Sequence, residues 1–194
     1  MLPWSWFLAR AYNVQRVDDR AFRAAQIYGG HVRTLARDLG LGTMLNLRGP
    51  NPNASWYRNM RESCVGLGID FAEISLSSKR LPERSPLVDL LATLDSARAP
   101  VLMTCSGGAD RTSLASALLV LHRTGDLALA RRQMRMFPYL HLPKPHQRWI
   151  RVFLDFYVAD SGGRALAPWL AEAYEPARFA AFMRARGQAG YWLE

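Results

Sequence analysis

Val101-Leu102-Met103-Thr104-Cys105-Ser106-Gly107-Gly108-Ala109-Asp110-Arg111-Thr112 is the stretch on which the fold turns. Pro100 leads into Val101 to Thr104, which reads as a buried strand, and the apolar run Leu114 to Leu121 reads as a buried helix. Between them lies a short loop with a glycine pair. A strand that passes through such a loop directly into a helix aims successive backbone N–H groups, and the positive end of the helix, into one concavity. That is an anion cradle. Gly107 and Gly108 remove Cβ atoms where the backbone must curl tightly around the anion.

Working outward, strand-like and helix-like segments alternate through the first two-thirds of the chain, the pattern of an α/β domain with a largely parallel sheet. Phe22 to Gln26 reads as a short strand, and Gly30 to Leu39 as a helix with Val32, Leu35, Ala36 and Leu39 on one face and Gly40 as its stop. Thr43 to Leu47 is a buried strand. Trp56, Met60, Cys64 and Leu67 recur at helical spacing, which makes Cys64 a core thiol. Ile69 to Leu76 is the next strand, and Ser85-Pro86 is an N-cap and first-turn pair for a helix with Leu87, Leu90, Leu91 and Leu94 inward. Asp126 caps a further helix through Met136. After the stiff loop of Pro138, Pro143 and Pro145, aromatic-rich helices follow around Trp149, Phe153 and Phe156, Trp169 to Tyr174, and Phe179 to Phe182.

The 194 residues fit one domain: an apolar N-terminal segment (1–12), an α/β core (13–145) and a helical extension (146–194) packed on the core. Two distant cysteines, Cys64 and Cys105, make no disulfide framework, and no metal-ligand spacing is present, so neither metal nor cofactor is called for. With 23 Arg and 2 Lys the chain has a formal charge of +9, much of it ordinary solvated surface in an arginine-rich composition. Seven basic residues between Arg123 and Arg151 against Asp126 alone favour phosphorylated, anionic partners. Nothing resembles a nucleic-acid motif. Leu2 to Ala9 is apolar and aromatic but too short for a signal peptide; it is a candidate foot for peripheral membrane contact or a segment packing on the domain. Sparse cysteine usage fits a cytoplasmic default, and an anchor removed ahead of Met1 would change that to a membrane-associated or periplasmic location.

In a chain so rich in arginine, a Cys-x5-Arg spacing is weak alone; the strand before it and the helix after it carry the case. A thiol at a helix N-terminus, ringed by amides and near a guanidinium, is expected to ionise at neutral pH. Arg111 offers a planar fork that holds two phosphoryl oxygens together. Ser106, Gly107, Gly108, Ala109, Asp110 and Arg111 would then form the phosphate-binding loop. Cys105 would attack phosphorus in line, and Thr112 would hydrogen-bond the departing sulfur in a second, hydrolytic step.

Thr104 to Ser113 resembles the signature His-Cys-x-x-Gly-x-x-Arg-Ser/Thr-Gly of the protein-tyrosine and dual-specificity phosphatase superfamily. It is most similar to the atypical bacterial and fungal dual-specificity branch, whose loop often reads Cys-Lys-x-Gly-x-Asp-Arg-Thr-Gly. Phe22-Arg23-Ala24-Ala25-Gln26 resembles that branch's Tyr-Arg-Ser-Ala-Gln segment, and Thr43 to Gly49 its Thr-Val-Ile-Asn-Leu-Arg strand. The likeness covers residues 13–125. It implies a three-layer α/β/α phosphatase fold with a small, mostly parallel sheet and, here, extra C-terminal helices. It also implies a cysteine-dependent phosphomonoester hydrolase, acting on phosphoprotein or on phosphoinositide, inositol phosphate or phospholipid substrates.

Two departures stand out: Thr104 replaces the usual His, and Ser113 the usual Gly. The upstream loop Leu76 to Glu83, where many relatives carry an acidic Asp, has none. Asp110 occupies the position before the loop arginine that is proposed as the acid in inositol-lipid phosphatases such as the myotubularins. It is therefore the candidate general acid, with a helix-capping or Arg111-orienting role as the alternative, and Glu83 and Glu73 as substitutes upstream. Arg48, Lys79 and Arg80 are candidate substrate contacts; His141 and His146 read as loop or packing residues. A phosphate-binding module without turnover and a rhodanese- or arsenate-reductase-like thiol enzyme remain as competing functions.

Overall fold

Period-two alternation in the central strands divides the core. In β3 (Thr43–Asn46) and β5 (Val101–Cys105), Met44 and Leu102 belong to one apolar cluster while Leu45 and Met103 belong to another. All four are fully buried, which requires that both faces of the sheet be covered. The computed structural model, which describes residues 4–188, shows how.

Five strands lie in the order β1-β2-β5-β3-β4, with β1 at Gln15–Arg16, β2 at Ala21–Ala25 and β4 at Asp70–Glu73. The four strands from β2 to β4 across the sheet are mutually parallel, and only the two-residue β1 runs antiparallel, along β2. Parallel neighbours need long crossovers, and helices supply them. On one face α1 (Trp4–Ala11), α2 (His31–Leu39) and α3 (Ser55–Leu67) bring Leu8, Val32, Leu35, Met60 and Cys64 onto Met44 and Leu102. On the other, α4 (Arg84–Ser96), α5 (Asp110–Thr124), α6 (Leu127–Arg132), α7 (Trp149–Asp160) and α9 (Pro176–Ala185) surround Leu45 and Met103. The short α8 (Leu166–Pro168) runs into a π-helical turn, Trp169–Ala173. The architecture is three layers, α/β/α, around a mostly parallel sheet.

The C-terminal helices join the core through their aromatics. Trp149, Phe153, Trp169, Tyr174 and Phe179 are fully buried, and Phe153 sits 5.3–5.9 Å, centroid to centroid, from Trp169, Tyr174 and Phe179. Each such side chain contributes about 1.5–3 kcal/mol by burial. Two of their polar tips are satisfied against the segment that precedes α4: Trp149 Nε1 donates to the Ser78 carbonyl at 3.3 Å, and the Tyr174 hydroxyl to the Pro82 carbonyl at 2.6 Å; Trp169 Nε1 donates to Asp160 at 2.8 Å. Arg84 adds bonds to the Tyr174 carbonyl and the Glu175 carboxylate.

Several boundaries differ from the sequence reading, each for a local reason. The strand expected through Leu76 ends at Glu73, because its neighbour β3 ends at Asn46; beyond it a single antiparallel bridge joins Arg48 and Ser75. Helix α4 begins at Arg84, so Ser85 does not cap it; its hydroxyl donates to Asp89 one turn on, at 3.1 Å. Asp126 does cap α6, accepting from the Leu129 N–H at 2.9 Å, but the helix stops at Arg132, and the Gln133 carbonyl turns to Arg23 instead. Tyr57 takes the interior place expected of Trp56, its hydroxyl reaching Glu73 at 2.9 Å, while Trp56 is half-buried. At the N-terminus Leu2 and Pro3 lie outside the described residues; Leu8 packs into the α2–α3 cluster. Among the described residues no helix is long and apolar enough to cross a membrane.

Candidate active site

Cys105 ends the central strand, in register with Ala25 of β2. The loop leaves the sheet between two backbone bonds: the Leu47 N–H donates to the Thr104 carbonyl at 2.9 Å, and the Gln26 N–H to the Ser106 carbonyl at 3.3 Å. Cys105 Sγ lies 3.9 Å from Thr112 Oγ1, on the first turn of α5. Arg111, one residue earlier, donates to Ser106 Oγ at 2.9 Å, so its guanidinium bends back over the loop opening. Ser106 and Gly107 are exposed, Ala109, Asp110 and Arg111 half-buried, Gly108 and Thr112 buried. Thr104, which replaces the usual histidine, is fully buried and spends its hydroxyl on the Leu45 carbonyl at 3.5 Å.

The need for glycine rests on one residue of the pair. Gly108 has φ +62°, and a Cβ there would fall 2.4 Å from the Ala25 nitrogen and 2.6 Å from the Ala24 carbonyl carbon. A Cβ at Gly107 would meet nothing within 4 Å. The requirement expected of both residues thus holds for Gly108 alone. Gly108→Ala is expected to lower stability by about 1–3 kcal/mol from backbone strain, and by more as β2 and the loop are pushed apart. Thermal unfolding should show a clear loss for Gly108→Ala and almost none for Gly107→Ala.

The loop is braced from behind by a cation. Arg23 of β2 is completely buried, and its Nη2 faces the Gly108 and Ala109 carbonyls at 3.2 and 3.3 Å, Thr112 Oγ1 at 3.3 Å and Ser113 Oγ at 2.7 Å. Nη1 donates to the Gln133 carbonyl at 2.7 Å, and the guanidinium stacks 4.5 Å from the Tyr139 ring centroid. Burial lowers its pKa to about 10, with Cys105 and Tyr139 pulling the other way, so it stays charged at neutral pH. By taking up the Gly108 and Ala109 carbonyls, Arg23 fixes the loop backbone from behind. Asn13 reinforces this, its Nδ2 donating to the Tyr139 carbonyl at 3.2 Å with the Gly108 carbonyl at 3.5 Å.

Asp110 begins α5, and its partners come from the C-terminal side of the chain. Gln147 Nε2 donates to Oδ2 at 2.9 Å, and His141 Nδ1 lies 3.4 Å from Oδ1. Arg48, at the end of β3, stacks 3.8 Å from the centroid of Trp56 and donates to Gln26 Oε1 at 3.3 Å. Its pKa is lowered by partial burial first and by the nearby Arg111 second. Ser75, Leu76, Ser77, Ser78 and Lys79 line a cleft that Arg111 closes. Arg80 is exposed next to it, its backbone N–H bonded to Ser77 Oγ at 3.0 Å. Glu73 is taken up by Tyr57 and Asn46, and Glu83 stands before α4 beside Tyr174, so neither upstream carboxylate is brought to the loop. Among the described residues no cluster of His, Cys, Asp and Glu could hold a metal ion.

No family model matches the sequence, and no curated protein does either. Solved structures do match. TpbA of P. aeruginosa superposes with a TM-score of 0.59 at 19% identity, over 75% of this chain and 84% of its own. The core catalytic domain of the PP-IP phosphatase SIW14 of S. cerevisiae, in complex with citrate, gives 0.58 at 18% identity, over 94% of each chain. Tk-PTP gives 0.59 at 14% identity, over 75% of this chain and 96% of its own.

The fold is that of the cysteine-dependent tyrosine and dual-specificity phosphatases.

On that fold the residues read from the loop motif, Cys105 to Thr112, lie between the end of β5 and the first turn of α5. Arg48 and Lys79 arrive from separate strands and loops. Arg23, Asn13, His141 and Gln147 had no signal of their own in the sequence. Arg23 stood only as one letter of the likeness at Phe22 to Gln26, and His141 read as a loop or packing residue. A buried arginine within a strand of small residues was the one available clue, since such a cation must find partners.

Proposed function

We propose that this chain is a cysteine-dependent phosphomonoester phosphatase acting through a cysteinyl-phosphate intermediate. The observation that carries the reading is the placement of Cys105 Sγ beside Thr112 Oγ1, in a loop braced behind by Arg23 and flanked in front by Arg111 and Arg48. Sγ attacks phosphorus in line as the bond to the leaving oxygen breaks, and a proton from Asp110 passes to that oxygen. Arg111 and the loop amides take up charge on the equatorial oxygens. Water then attacks the phosphocysteine, returning a proton to Asp110, and the Thr112 hydroxyl supports the departing sulfur.

The substrate class we favour is a small or lipid-borne phosphorylated anion carrying charge beyond the reacting phosphate, such as an inositol phosphate or phosphoinositide head group. Arg48 and Lys79 support this, because they place positive charge beside the phosphate loop. TpbA has been solved with pTyr, and SIW14 is named for PP-IP, so the fold serves both substrate types. The test is turnover on phosphopeptides, inositol phosphates, phospholipids and a plain aryl phosphate. Faster turnover of the polyanionic members, with Lys79→Ala raising KM on those alone, supports the assignment. Preference for phosphotyrosine peptides moves it to phosphoprotein. No turnover on any member, with phosphate still bound, makes the chain a binding module. Asp110→Asn should lower kcat on alkyl phosphates by about 10²–10⁴ and spare aryl phosphates, whose leaving groups need little protonation.

A further inference from the structure

Beside the first turn of α5 lies an ionisable side chain that this chemistry leaves without a role. His141 is fully buried, and neither ring nitrogen has a hydrogen-bond partner among the described residues. A neutral imidazole carries one N–H and one lone pair, and burying both unmatched is costly. Nδ1 is nevertheless only 3.4 Å from Asp110 Oδ1, within ion-pair distance though out of line for a hydrogen bond. The other carboxyl oxygen accepts from Gln147 Nε2 at 2.9 Å. One side chain therefore addresses each oxygen of Asp110.

The segment that presents them is firmly held. Arg151 of α7 donates to the His141 carbonyl at 2.7 Å, and Asn13 to the Tyr139 carbonyl at 3.2 Å. The Lys144 and Gln147 backbones are tied together, with the Lys144 N–H donating to Gln147 Oε1 at 3.0 Å and the Gln147 N–H to the Lys144 carbonyl at 2.8 Å. The charged and titratable groups around His141 are thus Asp110 from α5, Arg151 from α7, and Tyr139, Lys144 and His146 from its own segment. Arg23 of β2 lies beyond Tyr139.

An acid must carry its proton at the pH of turnover. An ordinary carboxyl group in water has lost its proton well before neutral pH. Something has to hold the proton in place. We propose that Asp110 and His141 share one proton, and that His141 is the positioning residue that keeps it available to the leaving group. This rests on the reading of Asp110 as the acid. The loaded pair exists as carboxyl beside imidazole or as carboxylate beside imidazolium, and it titrates as a unit. As the P–O bond breaks, the pair releases its proton to the leaving oxygen and ends as carboxylate beside neutral imidazole. The water that cleaves the P–S bond restores it.

The experiment is the pH dependence of kcat on an alkyl and an aryl phosphate for the full chain, His141→Asn and Asp110→Asn. Asparagine sets an amide nitrogen near the place of Nδ1, so it preserves a donor but cannot hold the proton. His141→Asn is expected to lose on the order of 10- to 100-fold on the alkyl substrate at pH 7, with its basic limb moved to lower pH. Turnover of the aryl phosphate, largely unchanged, shows that the variant is folded. If the alkyl profile of His141→Asn overlays the wild type while Asp110→Asn still loses alkyl turnover, the shared proton is refuted and the acid assignment stands. If Asp110→Asn leaves the alkyl-to-aryl ratio unchanged, the acid assignment fails and the shared proton with it. Histidine-ring NMR gives a readout independent of catalysis. The His141 titration midpoint should move in Asp110→Asn, and an unchanged midpoint overturns the proposal.

Discussion

Cys105→Ser is expected to abolish turnover, by on the order of 10⁶-fold, the scale found when a covalent nucleophile is removed, while leaving phosphate binding intact. A serine hydroxyl is a far weaker nucleophile than a cysteine sulfur, so the loop keeps its donors and loses its attacking group. Beyond the Thr112 contact the loop is held by other groups: its carbonyls bond Arg23, and Arg111 bonds Ser106. Steady-state turnover of an aryl phosphate and calorimetric binding of inorganic phosphate separate the two effects. Rapid quench should trap phosphate on the wild type and none on the variant. Cys64 cannot take over, since it is fully buried and burial pushes its thiol up to about 12, leaving it protonated at any working pH. Substantial residual turnover in Cys105→Ser would show that the attacking group lies elsewhere.

Arg23→Met should cost about 3–5 kcal/mol of stability, comparable to breaking a buried charge network, and should remove activity with it. Methionine fills the space, so the loss is not a cavity effect. It comes from the Gln133 carbonyl and the Ser113 hydroxyl, which lose the guanidinium as their donor in the interior, and from the Gly108 and Ala109 carbonyls, which keep only Asn13 and the Ser113 N–H. Arg23→Lys fares little better, because one ammonium cannot span acceptors arrayed around a planar fork. In a chain of this size the melting temperature should fall by roughly 10 °C. A melting temperature within a degree or two of the wild type would mean that water replaces the guanidinium at no cost.

The sequence made the phosphate loop legible because its parts are contiguous: an all-buried strand, a turn and an apolar helix follow one another without a gap. The braces of that loop were illegible for the opposite reason. Arg23 and Gln133 are 110 residues apart, and Gln147 and Asp110 are 37 apart. No local pattern pairs them; only closure of the sheet and docking of α7 do. Charge was the least readable feature. Of the basic residues between 123 and 151, Arg123 pairs with Asp18, Arg131 with Asp155, and Arg151 serves a backbone carbonyl, so the run presents less free charge than its composition implied. A carboxylate such as Glu73 can likewise be claimed by a neighbouring tyrosine that spacing alone does not reveal.

The Arg23 brace also sets an order of events in the life of the chain. The cation belongs to β2, well upstream of the carbonyls that receive it, which run from Gly108 to Gln133. A nascent chain that has produced Cys105 therefore holds a thiol but no finished cradle, and the cradle cannot close until β5, α5 and α6 have emerged and docked. A fragment lacking either side of that contact would lack the brace.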